Sequence, residues 1–292
     1  MNKGAYMDIP EQWRALDLQS LRGLLMVVGG PDVGKSTFAH YLWQKLAEHH
    51  QGIGFLDGDP GQSRLGPPTT LSLVMGKPID SLEGEIYRVK RAFVGSVSPS
   101  GHMVQMLLAC SKLIKAAKEA GITTLIYDTT GLIHKEQGGV LLKQTKIELF
   151  SPSTIFAIQR GGELEHILAP FRRSKRFRVI DLKPSLATKQ RSTYERRSHR
   201  RAQFAKYFEV AHTVSLDWST LGVFPRPYFT RTAVVALEDS CGLTLALGIT
   251  TEVFPRDRQV RLLVPQVQLD KLVAMRIGDM GLDPQSFEDH RL

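Results

Sequence analysis

Short apolar runs alternate with amphipathic stretches through most of the chain. Residues 24–28 (Leu-Leu-Met-Val-Val) form an unbroken apolar run of strand length, and 37–49 keep helical spacing. A second strand is predicted over 52–56. It stops at Asp57-Gly58-Asp59-Pro60-Gly61-Gln62, where Pro60 and Gly61 force a turn. Residues 91–97 read as a strand. The helix predicted over 102–120 carries Val104, Leu107, Leu108, Leu113, Ile114 and Ala117 at helical spacing. Lys112, Lys115 and Lys118 lie on or near its other face, and Gly121 is a candidate C-cap. The β-branched run 123–127 ends at Asp128-Thr129-Thr130-Gly131; a helix over 140–149 and a strand over 153–159 follow. Strands alternating with helices predict an α/β fold, a parallel sheet with crossover helices. Further on, 194–208 is helix-compatible, with Phe204, Tyr207 and Phe208 placed to fasten its end. After Trp218 the texture changes to a hairpin over 232–237 and 243–249 and a strand over 259–264. The predicted organisation is a helical lead-in over 1–20 anchored by Pro10 and Trp13, an α/β domain over 21–218, and a small β-rich domain over 219–292.

In such a sheet, ligand groups belong at the carboxyl ends of the strands. Three polar clusters fall there. The first, Gly29-Gly30-Pro31-Asp32-Val33-Gly34-Lys35-Ser36-Thr37, reads G-x-x-x-x-G-K-S-T between a strand and a helix, the context of a phosphate-binding (P-loop) NTPase. Its glycines let backbone N–H groups wrap phosphate oxygens, and the helix N-terminus adds positive potential. Lys35 would reach the β/γ-phosphates of a nucleoside triphosphate and Ser36 would hold Mg²⁺. The second cluster offers Asp59 as the base for an accepting hydroxyl and Asp57 for the metal shell, with Gln62 as an orienting group. Each aspartate could instead cap its own turn. The third offers Asp128 as a rival metal ligand, with Thr129, Thr130 and Gly131 on a tight turn.

Charge sharpens this picture. Net charge is +9, yet residues 172–201 alone carry twelve Lys and Arg against Asp181 and Glu195, so the rest of the chain sums to −1. One basic stripe points to a polyanionic partner, the alternative being a solvated basic helix. Arg196 and Arg200 share one helical face, as do Arg197 and Arg201 one step round. Such a face could cover a triphosphate, while Arg172, Arg173 and Arg176 read as nucleic-acid backbone contacts. His102, at a helix start, is a structural group or a substrate contact. No run of about 18 apolar residues exists, which excludes a helical membrane span. Residues 1–19 lack the apolar stretch of a signal peptide. The two cysteines, Cys110 and Cys241, fit neither a disulfide framework nor a zinc site; both are expected in the core of a cytoplasmic protein.

The order Gly30-Pro31-Asp32-Val33-Gly34-Lys35-Ser36-Thr37, Asp57-Gly58-Asp59-Pro60-Gly61-Gln62, Thr129-Thr130-Gly131-Leu132, Arg196-x-x-x-Arg200, Tyr207-Phe208 resembles the polyribonucleotide 5′-hydroxyl-kinase family, which includes the kinase of the eukaryotic pre-mRNA cleavage machinery. The resemblance is good over about 22–210 and looser over 230–282. It implies transfer of the ATP γ-phosphate to the 5′-hydroxyl of RNA, sometimes DNA. In its terms Gly30–Thr37 bind ATP, Asp59 is the general base and Gln62 a site residue. Thr129 to Leu132 form a substrate clasp. Arg196 and Arg200 sit in an Arg-rich lid over about 172–208, with Arg197 and Arg201 beside the substrate. Two departures stand out. The family clasp reads T-x-G-W, with a tryptophan engaging the substrate nucleotide, where this chain has Leu132. An aromatic stacking contact is worth about 1–3 kcal/mol per base. The phosphate loop also begins near residue 29, without the large N-terminal β domain of eukaryotic members, so partner docking tied to that domain is not implied.

Two other classes compete. Asp128-x-x-Gly131 also resembles the D-x-x-G of a nucleotide switch, although no N-K-x-D guanine motif occurs. An RNA-binding scaffold holding ATP as a structural ligand is the third reading.

Overall fold

The computed structural model describes residues 9–78, 89–185 and 187–292. The predicted lead-in over 1–20 therefore lies partly outside the described residues. Two compact units emerge, each discontinuous in sequence: 9–58, 74–78 and 117–191 in one, 59–73, 89–116 and 192–292 in the other.

In the first unit, strands β1 (Gly23–Gly29), β2 (Ile53–Gly58), β5 (Thr124–Thr129), β6 (Thr154–Ile158) and β7 (Arg178–Leu182) pair in parallel in the order β2-β5-β1-β6-β7. The four inner strands are buried on both faces, which is why each reads as a continuous apolar run rather than an alternation. Helices α2 (Lys35–Ala47), α4 (Gly139–Phe150) and α5 (Glu165–Ser174) belong to this unit. Helix α2 buries Phe38, Leu42 and Leu46, and Phe38 meets Phe156 of β6 edge-on at 5.1 Å. The short α1 (Glu11–Arg14) sinks Trp13, fully buried, edge-on against Phe38 at 5.0 Å. Trp13 thus supplies the anchor expected of it.

Strand β7 falls inside the segment read as one Arg-rich lid. That segment is divided: it runs through the end of α5, the edge of the parallel sheet, a loop, and helix α6 (Thr193–Tyr207). Arg178 and Asp181 are exposed on β7 and its burial does not alternate, so the strand was hidden by its charges.

The second unit holds the remaining strands, apart from the end of β3 (Thr70–Met75), and most of α3 (Met103–Glu119). Strand β3 and the parallel-sheet edge β7 were not expected from the sequence. Strand β4 (Val89–Phe93) is shorter than predicted. An antiparallel sheet is built from β8 (Ala211–Asp217), β10 (Ala233–Glu238), β11 (Thr244–Phe254), β12 (Gln259–Pro265), β13 (Ala274–Leu282) and β14 (Asp289–Arg291), in the order β14-β13-β10-β11-β12-β8. The short β9 (Gly222–Phe224) joins β13 in parallel. The expected hairpin is β10–β11, with Val234 opposite Ile249. Strand β10 is buried on both faces. Val234 and Ala236 join a cluster with Phe204, Phe208, Leu247 and Ile249, and Val235 and Leu237 join one with Val260, Leu262 and Met275. Phe204 and Phe208 thereby fasten α6 as expected, and the Tyr207 hydroxyl accepts from the Leu247 N–H at 2.9 Å. Helix α6 groups with this sheet in one unit, which begins well before residue 219.

Two expectations are corrected. Val104 and Leu108 are 75% and 45% exposed; the buried stripe of α3 is Met106, Ala109, Cys110, Leu113, Ile114, Ala116 and Ala117, rotated round the helix from the one predicted. Cys110 is buried, but Cys241 is exposed in the β10–β11 turn, where its N–H donates to Asp239 Oδ1 at 2.9 Å. The turn's geometry, not its apolar flanks, decides that position.

Candidate active site

The phosphate loop spans the end of β1 and the start of α2. Gly34, in the left-handed region at φ 90°, is the N-cap of α2, so an L side chain there would be strained. A Cβ on Gly29 would lie 2.7 Å from Val33 Cγ2 and 2.9 Å from the Ile158 carbonyl. The loop is therefore packed into its curve by Val33 and β6. The buried Lys35 ammonium donates to the Gly30 carbonyl across the loop, and Asp32 accepts from the Arg191 N–H at 3.1 Å. Pro31 lies in the turn, and Ser36 and Thr37 lie in the first turn of α2.

Asp57 and Asp128 are paired in register across β2 and β5, both buried, and Val27 of β1 is the partner of Asp128 on the other side. Neighbouring strands lie about 4.8 Å apart, so the two carboxylates share one patch at the strand ends. Among the described residues no group of three or more His, Cys, Asp or Glu gathers as a metal cage. Two register-paired carboxylates suit Mg²⁺, which takes one or two protein carboxylates and completes its shell with water and phosphate oxygens. The residues fit that ion.

The clasp turn is braced against the loop. A Cβ on Gly131 would fall 3.0 Å from Pro31 N and Cα, so a larger residue would have to push the Pro31 backbone back by a few tenths of an ångström. On the other side, a Cβ on Gly139 would lie 2.8 Å from Ile133 backbone, and the Gly139 N–H donates to the His134 carbonyl at 2.8 Å. His166 Nε2 donates to the Ile133 carbonyl at 2.9 Å. Thr129 donates its hydroxyl to the Val27 carbonyl at 2.7 Å, tying the clasp to β1. With Thr129 and Thr130 both buried, these hydroxyls face inward, and Gly131 and Leu132 are the half-exposed part of the turn.

Lys143 and Lys146 were missed. Both are fully buried in α4. Lys143 Nζ donates to Thr129 Oγ1 at 2.7 Å and to the Thr130 carbonyl at 2.5 Å; Lys146 Nζ donates to the Tyr127 hydroxyl at 2.5 Å. No local signal marks them as buried, since Gln144, Thr145 and Glu148 share the same helix.

Asp59, Gln62 and the α6 arginines lie in the second unit. Asp59 Oδ1 accepts from the Gly61 and Gln62 N–H groups at 2.9 and 3.0 Å, the turn-capping role weighed above. Gln62 Nε2 donates to the Gly61 carbonyl at 2.6 Å and to the Arg196 carbonyl at 3.4 Å, and His199 Nε2 donates to the Ser63 carbonyl at 3.2 Å. Helix α6 opens on a capping box between Ser192 and Glu195. Arg200 forms a bidentate pair with Asp289, at 3.1 and 2.9 Å. Arg201 Nε donates to the Ser286 carbonyl at 2.8 Å, and Arg197 is exposed. His102 pairs with Asp279 at 2.9 Å, the structural option.

Arg172 is held by Glu165 and Asp181, and the hydrogen bond to Asp181 raises its pKa above the ordinary guanidinium value. Arg176 pairs with Glu148 at 2.7 Å. These two are bound within their own unit; Arg173 is exposed.

Comparison with known proteins places this arrangement. The chain matches the family described as mRNA cleavage and polyadenylation factor CLP1 P-loop over residues 29–210. It is 34% identical to the polyribonucleotide 5′-hydroxyl-kinase of Pyrococcus furiosus over 214 residues, covering 72% of this chain and 58% of that protein. Similarity to the polyribonucleotide 5′-hydroxyl-kinase of Methanocaldococcus jannaschii is 34% over 195 residues, covering 67% and 53%. The chain thus spans little more than half the length of these curated relatives. Among solved structures, a chain of the wild-type Clp1p–Pcf11p complex superposes with a TM-score of 0.65 at 14% identity, covering 89% of this chain and 74% of that one. That likeness is one of fold.

Proposed function

The chain belongs to the CLP1 P-loop family, and on that premise we propose that it is an ATP-dependent polynucleotide 5′-hydroxyl kinase, with RNA as acceptor and DNA as a second one. The observation that carries the reading is the joining of three parts at one sheet edge: phosphate loop, register-paired Asp57 and Asp128, and a clasp turn pressed on Pro31. In this reading the loop and Lys35 bind the triphosphate. Ser36, Asp57 and Asp128 would hold Mg²⁺, which when bound neutralises charge on the β- and γ-oxygens. Asp59 takes the proton of the 5′-hydroxyl as its oxygen bonds to the γ-phosphorus and the bond to ADP breaks. Arg196 offsets charge on the transferred phosphoryl, Gln62 sets the first turn of α6, and exposed Arg197 and Arg201 meet acceptor phosphates. Gly131 and Leu132 are the clasp positions that meet the acceptor nucleotide.

The switch reading rests on Asp128-x-x-Gly131, but Gly131 has a packing reason of its own against Pro31. A cytoplasmic setting belongs to the same proposal, supported by two cysteines that form no disulfide with each other. No helix among the described residues is long and apolar enough to cross a membrane.

Labelled phosphate from ATP is expected on 5′-hydroxyl RNA, and Lys35→Ala is expected to abolish the signal. ATP binding without transfer to RNA or DNA would favour the scaffold. Gly131→Ala is expected to weaken triphosphate binding about tenfold, since its Cβ must displace Pro31 backbone. Gly161→Ala, which meets nothing within 4 Å, is expected to leave it unchanged in the same titration.

A further inference from the structure

Lysine is rarely fully buried, because its ammonium must be desolvated and then given hydrogen-bond acceptors. Helix α4 buries two. Lys146 is directed at the ring and hydroxyl of Tyr127, inside β5. Lys143, one turn earlier, is directed at the clasp, donating to Thr129 Oγ1 and the Thr130 carbonyl. Thr129 in turn donates to the Val27 carbonyl, two residues before the phosphate loop. A continuous chain of charge-assisted and neutral hydrogen bonds therefore runs from α4 through the clasp to β1. The phosphate loop has further supports of its own, at Ile158, Val33 and Arg191.

Resting on the kinase reading, we propose that Lys143 is a positioning residue for the acceptor. Its ammonium fixes the start of the clasp, and so sets where Gly131 and Leu132 present themselves to the acceptor nucleotide. Lys143 touches neither ATP nor the reacting atoms in this account. It acts through the Thr129–Thr130 backbone, and its loss falls on acceptor use rather than on nucleotide binding.

Lys146→Met is the matched control: the same helix, the same burial and the same charge removed, with the hydrogen bond lost at Tyr127 instead. Transfer kinetics with RNA and ATP varied separately, ATP affinity by titration, and thermal melting would be measured for both variants. For Lys143→Met, kcat/KM for RNA is expected to fall roughly 10–100-fold, the scale of a lost charge-assisted hydrogen bond, with ATP affinity retained. Lys143→Arg is expected to recover part of that loss. Lys146→Met is expected to melt earlier with RNA kinetics unchanged. Parallel behaviour of the two variants, or ATP affinity falling in step with RNA use, would overturn the proposal. Should Lys143→Met not fold, Thr129→Val, which removes the hydroxyl Lys143 holds, decides by the same ratio. Should wild-type protein transfer no phosphate, the kinase reading fails on its own. Amide exchange at Thr130, Gly131 and Leu132 then decides the positioning claim: faster exchange in Lys143→Met than in Lys146→Met supports it, and equal exchange overturns it.

Discussion

Asp59→Asn is expected to slow phosphate transfer to RNA by roughly 10²–10⁴-fold, the usual contribution of a positioned general base, while ATP affinity stays at its wild-type value. The substitution is informative because of what it keeps. Asp59 Oδ1 accepts the Gly61 and Gln62 N–H groups, and an asparagine side-chain oxygen can accept the same two. The turn therefore survives, while the capacity to take a proton is lost together with the carboxylate charge. Asp59→Ala would remove the cap as well and confuse the two effects. Single-turnover transfer, with bound ATP quantified in parallel, separates base from scaffold. Wild-type turnover in Asp59→Asn would shift the base elsewhere in the Asp57–Gln62 cluster without touching the kinase assignment. Asp57→Asn is expected to behave differently, with activity partly restored by excess Mg²⁺, because Asp57 lies in register beside Asp128.

Much of the phosphate-binding half was legible because it is written in residue types with one conformational use. Gly34 needs a left-handed backbone, and Gly131 must let a turn approach Pro31. Asp57 and Asp128 stand where apolar runs end, so their place at the sheet edge followed from periodicity. The clasp's inward support did not. A lysine in a helix ordinarily marks the solvated face, and nothing local says that Lys143 and Lys146 point the other way. Edge strand β7 was hidden by its own charges, and β3 by the proline-rich turn before it. The arginines of α6 were legible as a basic face, but not which of them the fold would bind. That depends on Asp289, 89 residues from Arg200, and on Phe204 and Phe208 docking against a sheet that folds later in the chain.

This division of the arginines leads to an expected difference between two substitutions that the sequence treats alike. Arg196→Ala is expected to reduce turnover by roughly 10³–10⁵-fold, as loss of an arginine that neutralises the transferred phosphoryl does, with RNA affinity changed far less. The substitution spares the Gln62 contact, which is to the Arg196 carbonyl, and the Ser192–Glu195 capping box. Arg200→Ala strikes a different target. The Arg200 and Asp289 side chains are only 12% and 13% exposed. Removing one partner leaves a largely buried charge uncompensated, at a cost of about 3–5 kcal/mol in stability. Slow turnover in Arg200→Ala therefore has two causes to separate. The double variant Arg200→Ala/Asp289→Ala separates them, since it removes the orphaned carboxylate and is expected to recover stability. Turnover that returns with stability makes Arg200 an anchor of α6. Turnover that stays low in the restabilised protein puts Arg200 beside Arg196 in the chemistry. Near wild-type turnover in Arg196→Ala would transfer the charge-neutralising role to Arg200, and its ion pair with Asp289 would then have to open during each catalytic cycle.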